Sequence, residues 1–304
     1  MYRQSLSLPL LLIALVVSAL LCFLGLIHPI ATTVESFYIV NSRQPRLFLR
    51  QTNLVVKPFL TIKTMSTNGD NDGGNVSNEQ KAVNSEWNEM AGDWDDLASG
   101  YSQQFLSKLW THTGLSSTTT NHRIIVDFGC GTGLLTERMM KSELQQSADE
   151  SSSTSSEFVC IDAAQSMINV LQDKIRAGEW KNVRAYCAVL ASHKISDNQD
   201  FERLKGTVDL VVASSVMTFI PKEELQATMS ELASFLKPGG LFCHSDWPLS
   251  DDNPTGFTEE KASSMYEMGG LQKKSSSVEE FDMGAGQKGD VYIGVAVKPT
   301  TTAN

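Results

Sequence analysis
From about residue 85 onward the chain alternates continuous apolar runs with stretches whose apolar residues recur at helical spacing. The runs near 124–128, 157–161, 183–188, 208–213 and 240–244 read as strands covered on both faces, because a strand with one wet face alternates polar and apolar side chains. The stretches near 134–141, 163–177, 221–236 and 258–268 read as helices, and in the second of them Met167, Ile168, Leu171 and Ile175 fall on one side. Strand and helix in regular succession predict a doubly wound, Rossmann-like α/β sheet. The last two strands, near 275–281 and 291–297, have no helical stretch between them. Glu280 to Gly289 therefore reads as a hairpin connection, with Val291 to Val297 as an antiparallel strand completing a seven-stranded sheet.

Other segments fall outside this rhythm. Between Arg3 and Glu35 there is no charge, and Leu6 to Ile27 gives 22 mostly aliphatic residues, enough to cross ~30 Å of hydrocarbon as a helix. Residues 1–35 read either as a membrane anchor or as a signal segment with an unusually long apolar core. Residues 36–65 carry Arg43, Arg46, Arg50, Lys57 and Lys63 with several Ser and Thr and no acid, which is transit-peptide composition. The expected location is thus membrane-anchored, or plastid or other organelle after cleavage of a leader. Residues 66–80 hold almost nothing apolar and read as a flexible linker, so 36–80 forms a basic targeting-like stretch plus linker, 81–298 the folded domain and 299–304 a tail. Ser142 to Glu157, with its serine-rich centre, reads as a solvated insertion away from the strand ends.

The chemistry concentrates where the first apolar run ends, in Ile124-Ile-Val-Asp-Phe-Gly-Cys-Gly-Thr-Gly-Leu-Leu-Thr136. Gly129, Gly131 and Gly133 allow a sharp turn and a close backbone approach to a ligand at the start of a helix. A dinucleotide fingerprint needs a third small residue where Leu134 stands, and a P-loop needs a Gly-Lys-Ser/Thr that does not follow. The Asp127 carboxylate repels a pyrophosphate and attracts the ammonium group of an aminoacyl cofactor, which points to S-adenosylmethionine. In open sheets of this kind ligands lie beyond the carboxyl ends of the strands, here at Asp127, Asp162, Ser214, Ser215 and His244.

Val126-Asp-Phe-Gly-Cys-Gly-Thr-Gly133 resembles the first cofactor loop of the class I S-adenosylmethionine-dependent methyltransferases. Further marks follow in that family's order: Val159-Cys-Ile-Asp162, Val208-Asp-Leu-Val-Val-Ala213, and Leu236-Lys-Pro-Gly-Gly240 as the turn into a fifth strand. The resemblance covers roughly residues 85 to 298. It implies that Asp127, Gly129, Cys130, Gly131, Thr132 and Gly133 hold the methionine part of S-adenosyl-L-methionine, that Asp162 accepts from the ribose hydroxyls, and that Ala163 and Ser214 lie beside them. Asp162 also fits a helix N-cap, and the two roles are compatible. Where the family places an acid near the adenine amino group this chain has Val189, leaving Ser192 or a backbone carbonyl as substitutes.

Trp87 to Tyr101 resembles the N-terminal lid helix of small-molecule methyltransferases. Trp94 and Tyr101 are pocket candidates, with plain packing onto the sheet as the alternative. Ser214 to Pro221 lacks the Asn/Asp-Pro-Pro-Tyr/Phe signature of amide and nucleobase methylators, which favours a small-molecule or lipid acceptor. A sulfonium methyl is already activated, so the protein mainly aligns acceptor and methyl and excludes water. His244 and Asp246 are candidates for a catalytic base with Trp247 as an aromatic wall; a hydrogen-bonded structural histidine is the other reading. A methyltransferase acting on a small, apolar or lipid-like acceptor is the expectation. Its rivals are a catalytically silent assembly factor with this fold and a protein methyltransferase.

Composition narrows the partners. The 304 residues are 41% hydrophobic, enough for one sizeable core. Residues 1–65 hold six Lys/Arg and one Asp/Glu of the chain's 25 and 35, leaving 19 and 34, a net −15, for residues 66–304. So acidic a body repels phosphate backbones, and no nucleic acid is expected as acceptor. The five cysteines, at 22, 130, 160, 187 and 243, show no paired or metal-ligand spacing and read as small buried hydrophobes; no metal site is expected.

Overall fold
The computed structural model describes residues 76–115, 122–146, 156–191, 199–251, 253–284 and 287–300. The anchor or leader, the targeting-like stretch, most of the linker, the serine-rich centre of the insertion, Ser192 and the end of the tail lie outside them. Among the described residues no helix is long and apolar enough to cross a membrane.

Two helices precede the sheet: α1 (Asn78–Met90) and α2 (Trp94–Thr113). α1 starts inside the stretch expected to be linker, because Ser77 Oγ accepts from Gln80 N at 3.1 Å and caps it. The α/β succession follows as β1 (Ile124–Phe128), α3 (Leu134–Gln146), β2 (Glu157–Asp162), α4 (Gln165–Gly178), β3 (Val183–Cys187), the single turn α5 (Gln199–Glu202), β4 (Val208–Ser214), α6 (Lys222–Phe235), β5 (Leu236–Asp246), α7 (Glu259–Met268), β6 (Gln272–Gly284) and β7 (Gln287–Val297). A short 3-10 turn, Met217–Phe219, stands between β4 and α6.

The seven strands lie in the order β3-β2-β1-β4-β5-β7-β6. All neighbours from β3 to β5 are parallel, and β7 runs antiparallel to both β5 and β6. The hairpin strands are longer than their sequence pattern suggested, so the reversal falls between Gly284 and Gln287 rather than across Glu280 to Gly289. Lys237 to Gly240 is likewise not a free turn. It is a bulge inside β5, since Val208 pairs Leu236 and Leu210 pairs Leu241, so two steps on β4 oppose five on β5.

Both sheet faces are covered, which is why the strands read as continuously apolar. Ile125, Cys160, Leu210, Val212 and Cys243 pack with Phe105 and Leu109 of α2 and Leu135, Met139 and Leu171 of α3 and α4. Residues of opposite parity, among them Val126, Val211 and Phe242, pack with Met229 and Leu232 of α6 and Met265 and Tyr266 of α7. α2 also shields the outer edge of β6. The Gln104 amide exchanges hydrogen bonds with the N–H and C=O of Asp282, and Lys108 and His112 pair with Glu279. An open edge strand this long would otherwise invite pairing with another chain. Because β1 lies between β2 and β4, the chain leaves it toward opposite sides, and a crevice opens at the carboxyl ends of these strands.

Candidate functional site
The glycine loop occupies that crevice. Gly129 N and Cys130 N donate to Ile161 O at 2.8 and 3.2 Å, and Gly131 N donates to Asp162 Oδ2 at 2.8 Å, so the loop is stitched to the end of β2. Gly129, Gly131 and Gly133 have φ of 67°, 55° and 76°. A Cβ at Gly129 would overlap the Val216 side chain and one at Gly133 the Leu171 side chain, so left-handed backbone and absent side chain are both required there. The turn closes with Gly133 O accepting from Glu137 N, and α3 begins.

Asp127 is 1% exposed, and its Oδ2 accepts from Thr136 Oγ1 of α3 at 2.6 Å. Burial pushes its carboxyl up to about 6; the Thr136 hydrogen bonds oppose this and the neighbouring Asp162 charge adds to it. Asp162 is raised as well, again chiefly by burial, while the amides of Ala164 and Gly131 counteract. Its two oxygens accept from Ala164 N and Gly131 N, both at 2.8 Å. Each carboxylate oxygen keeps a further lone pair, so this local tie leaves room for a ligand hydroxyl.

A cavity of about 860 Å³ extends from these carboxylates. The loop end is formed by Asp127, Phe128, Gly129, Cys130, Gly131, Asp162, Ala163 and Ser214, with Ala188, Val189 and Leu190 beside them. Away from the loop the walls turn aromatic. Trp87 meets Trp94 edge-on at 5.1 Å and Phe219 at 5.2 Å, while Tyr101 and Trp247 lie 5.6 Å apart. Leu249 and Val278, 51% and 55% exposed, sit in the lining away from the loop. All three residues expected in a substrate pocket, Trp94, Tyr101 and Trp247, line this cavity.

The two N-terminal helices close it from above. Asp95 of α2 accepts from Thr132 Oγ1 of the loop and pairs with Lys174 of α4, and Asn88 of α1 accepts from Ser166 N at 2.7 Å. Arg138 of α3 donates to Ser99 O and Oγ at 2.9 Å. The cover is therefore fastened to the loop and to the helix that follows β2.

Two expectations are corrected. His244 and Asp246, expected as a base, are fully buried and lie outside the cavity lining. Strand alternation turns them to the opposite face of β5, among Phe242, Phe257 and Tyr266. There His244 Nδ1 lies 2.8 Å from Asp246 Oδ2 and Nε2 lies 2.8 Å from Tyr266 OH, while Asp246 Oδ1 accepts from Thr218 N and Oγ1 at 3.1 and 2.8 Å. The assignment that satisfies every group puts the imidazole proton on Nδ1, with Tyr266 donating to Nε2. The network holds the 3-10 turn, whose Phe219 faces the cavity. Thr132 and Gly133 are also outside the lining, because the loop turns inward after Gly131: Thr132 bonds Asp95, and Gly133 packs on Leu171.

Sequence reasoning missed Asp95, Val216, Phe219 and Ser245. Ser245 accepts from Tyr101 OH at 2.8 Å, and its period-2 offset from His244 was the available signal that it faces the other way.

Comparison with known proteins finds likeness in sequence and in fold. Residues 126–242 match a family model described as a methyltransferase domain. The chain is similar to methyltransferase tpcH of Aspergillus fumigatus, 26% identical over 150 residues that make up 49% of this chain and 48% of that protein. It is similar also to an uncharacterized methyltransferase of Schizosaccharomyces pombe, 28% identical over 141 residues, 46% and 42% of the two chains. The chain thus aligns with about half the length of these curated relatives. Among solved structures, magnesium protoporphyrin IX methyltransferase from Synechocystis with bound S-adenosylmethionine superposes with a TM-score of 0.53 at 16% identity, over 76% of this chain and all of that one. The [4+2]-cyclase SpnF gives 0.54 at 13% identity over the same shares. At such identities the likeness is one of fold.

Proposed function
We propose that this chain, whose folded domain belongs to the class I S-adenosylmethionine-dependent methyltransferase family, binds S-adenosylmethionine and transfers its methyl group to a small, largely apolar acceptor. One observation carries this reading: the carboxylates of Asp127 and Asp162 flank the glycine loop at one end of a cavity whose lining also includes Trp87, Trp94, Tyr101, Phe219 and Trp247. The residues fit the cofactor. Asp127 supplies a buried carboxylate for the amino group, Gly129 to Gly131 allow close backbone approach, Asp162 offers acceptor lone pairs for the ribose, and Ala163, Val189 and Leu190 give an apolar seat for adenine. The bound cofactor supplies an activated methyl on a sulfonium centre. The chain itself orients the acceptor between Trp94, Tyr101 and Trp247 and keeps water out with α1 and α2, and positioning of this kind needs no acid–base triad.

An apolar or lipid-like acceptor is supported by the aromatic walls and by the exposed Leu249 and Val278, apolar side chains in the lining away from the loop. The acidic body argues against nucleic acid. Residues 1–65, with the uncharged run from Leu6 to Ile27, are proposed to deliver the domain to a membrane or an organelle, which mass spectrometry of the mature amino terminus and cell fractionation test. The function itself is tested by incubating the purified chain with methyl-labelled cofactor and an extract of source cells. Label is expected in the organic-soluble small-molecule fraction, and label confined to protein or nucleic acid would overturn the acceptor class.

A further inference from the structure
The inner wall of the cavity carries a cluster of hydroxyl groups beside the glycine loop. Tyr101 OH donates to Ser245 Oγ at 2.8 Å, and Ser245 Oγ lies 3.5 Å from Ser214 Oγ, with Ser215 next in the chain. Three of the four, Tyr101, Ser214 and Ser215, line the cavity, and Ser245 supports them from full burial. Ser215 is held in left-handed backbone, φ 56°, one of two such non-glycine residues among those described. Its amide is fixed to Ser245 O at 2.7 Å. Backbone strain of this kind persists where surrounding structure over-determines a side-chain position.

The position of the cluster is set by topology. β4 lies between β1 and β5, so Ser214 and Ser215 end next to Gly129, and the Val216 side chain covers that glycine. The cluster therefore stands between the loop and the aromatic walls, where cofactor and acceptor have to meet. Hydroxyl hydrogens rotate freely, so Ser214 and Ser215 can turn theirs onto a ligand oxygen.

Neutral donors converging in a dry pocket stabilise an anionic or carbonyl oxygen more than an alcohol. Among the titratable groups of the lining, Asp127 accepts from Thr136, Asp162 from two backbone amides, Tyr101 donates to Ser245 and Lys288 pairs with Glu280, while Asp290 lines the cavity too and Glu224 accepts from Ser77 N through Oε1 with its buried Oε2 unpartnered. A protonated alcohol would need one of them as a base, and an ammonium would be repelled by the sulfonium beside it. A carboxylic acid, with an ordinary pKa near ~4, arrives already ionised.

We propose that the hydroxyl cluster of Tyr101, Ser214, Ser215 and Ser245 seats the carboxylate of an acceptor with an apolar body, making the product a methyl ester. The inference rests on the methyltransferase reading above. In the step, a carboxylate oxygen forms a bond to the methyl carbon as the carbon–sulfur bond breaks and its electron pair passes to sulfur. The negative and positive charges cancel, and no proton moves.

The test uses the full chain in detergent, saturated with S-adenosylhomocysteine, and follows tryptophan emission during titration with decanoate and with 1-decanol. Decanoate is expected to bind about tenfold more tightly, a difference of ~1.4 kcal/mol, and Tyr101→Phe to lose most of that preference with S-adenosylhomocysteine affinity unchanged by calorimetry. Equal or weaker binding of decanoate overturns the proposal. So does a labelled product from cell extract whose methyl group resists mild alkali, since a methyl ester releases volatile methanol. Failure of S-adenosylhomocysteine itself to bind is a different result: it removes the methyltransferase reading, and this proposal with it.

Discussion

Replacing Asp127 by Asn should make the protein more stable and less able to bind its cofactor. The side chain is 1% exposed, and burial lifts its carboxyl from the ordinary 3.8 to about 6. That difference corresponds to ~3 kcal/mol between the charged and neutral forms, a ceiling that local relaxation reduces to about 1–2 kcal/mol. The sign follows from proton binding. Between the two pKa values the folded state holds the proton that the unfolded state has released, so this residue's contribution to stability falls as pH rises through that window and stays low above it. Asn keeps an oxygen for Thr136 Oγ1 and never ionises. Denaturant unfolding at pH 4 and pH 8 should give equal stabilities for variant and wild type at the lower pH, and a variant ahead by about 1–2 kcal/mol at the higher. Calorimetry should show a loss of about 10- to 100-fold in S-adenosylhomocysteine affinity, the worth of one charge-assisted contact to its amino group. A variant that is less stable at pH 8, or that binds as well as wild type, would refute the reasoning.

Other substitutions probe the supports of the site. Gly133→Ala forces a side chain into left-handed backbone against Leu171 and should cost about 1–3 kcal/mol in thermal or denaturant unfolding. Tyr266→Phe leaves buried His244 Nε2 without its donor; a loss of about 1–3 kcal/mol with cofactor affinity retained would separate this network from the cofactor's own contacts, whereas a catalytic His244 predicts lost transfer at unchanged stability. Gly294→Ala places Cβ 2.6 Å from His244 Nε2 and against the Tyr266 hydroxyl, so it should destabilise at least as much in the same melts. Asp95→Ala cuts the clasp between the covering helix and the loop. Because that pair is partly exposed, about 0.5–1 kcal/mol is expected, read as a few-fold faster release of S-adenosylhomocysteine in stopped flow.

What the sequence disclosed tracks how local the determining physics is. The glycine loop, β1 and the β2 terminus at Asp162 were legible because a turn of left-handed glycines and doubly covered strands are written in consecutive residues. The antiparallel β7 was legible because the hairpin has no room for a crossover helix. α2 was read only in its first turns. Its buried positions Ala98, Ser102, Phe105, Leu106, Leu109 and Thr113 do recur at helical spacing, but two are polar residues whose hydroxyls bond back to Ala98 O and Leu109 O. Hydropathy alone hides such a helix. The placement of His244 outside the cavity was hidden for a different reason. Period 2 says that His244 and Ser245 face apart, yet which face meets the cavity depends on where α2 lies, and that is set by contacts more than 140 residues distant, such as Tyr101 to Ser245. Asp95 was illegible on the same ground, since its partners Thr132 and Lys174 are far along the chain.

The central claim is that buried carboxylates at a glycine turn select a sulfonium amino acid over a pyrophosphate. Parallel calorimetric titrations of the purified chain with S-adenosylmethionine and with NAD test it most directly. The account predicts one-to-one binding of S-adenosylmethionine at roughly 1–100 μM, about −5 to −8 kcal/mol, and no heat with NAD. Saturable binding of NAD with none of S-adenosylmethionine would contradict it.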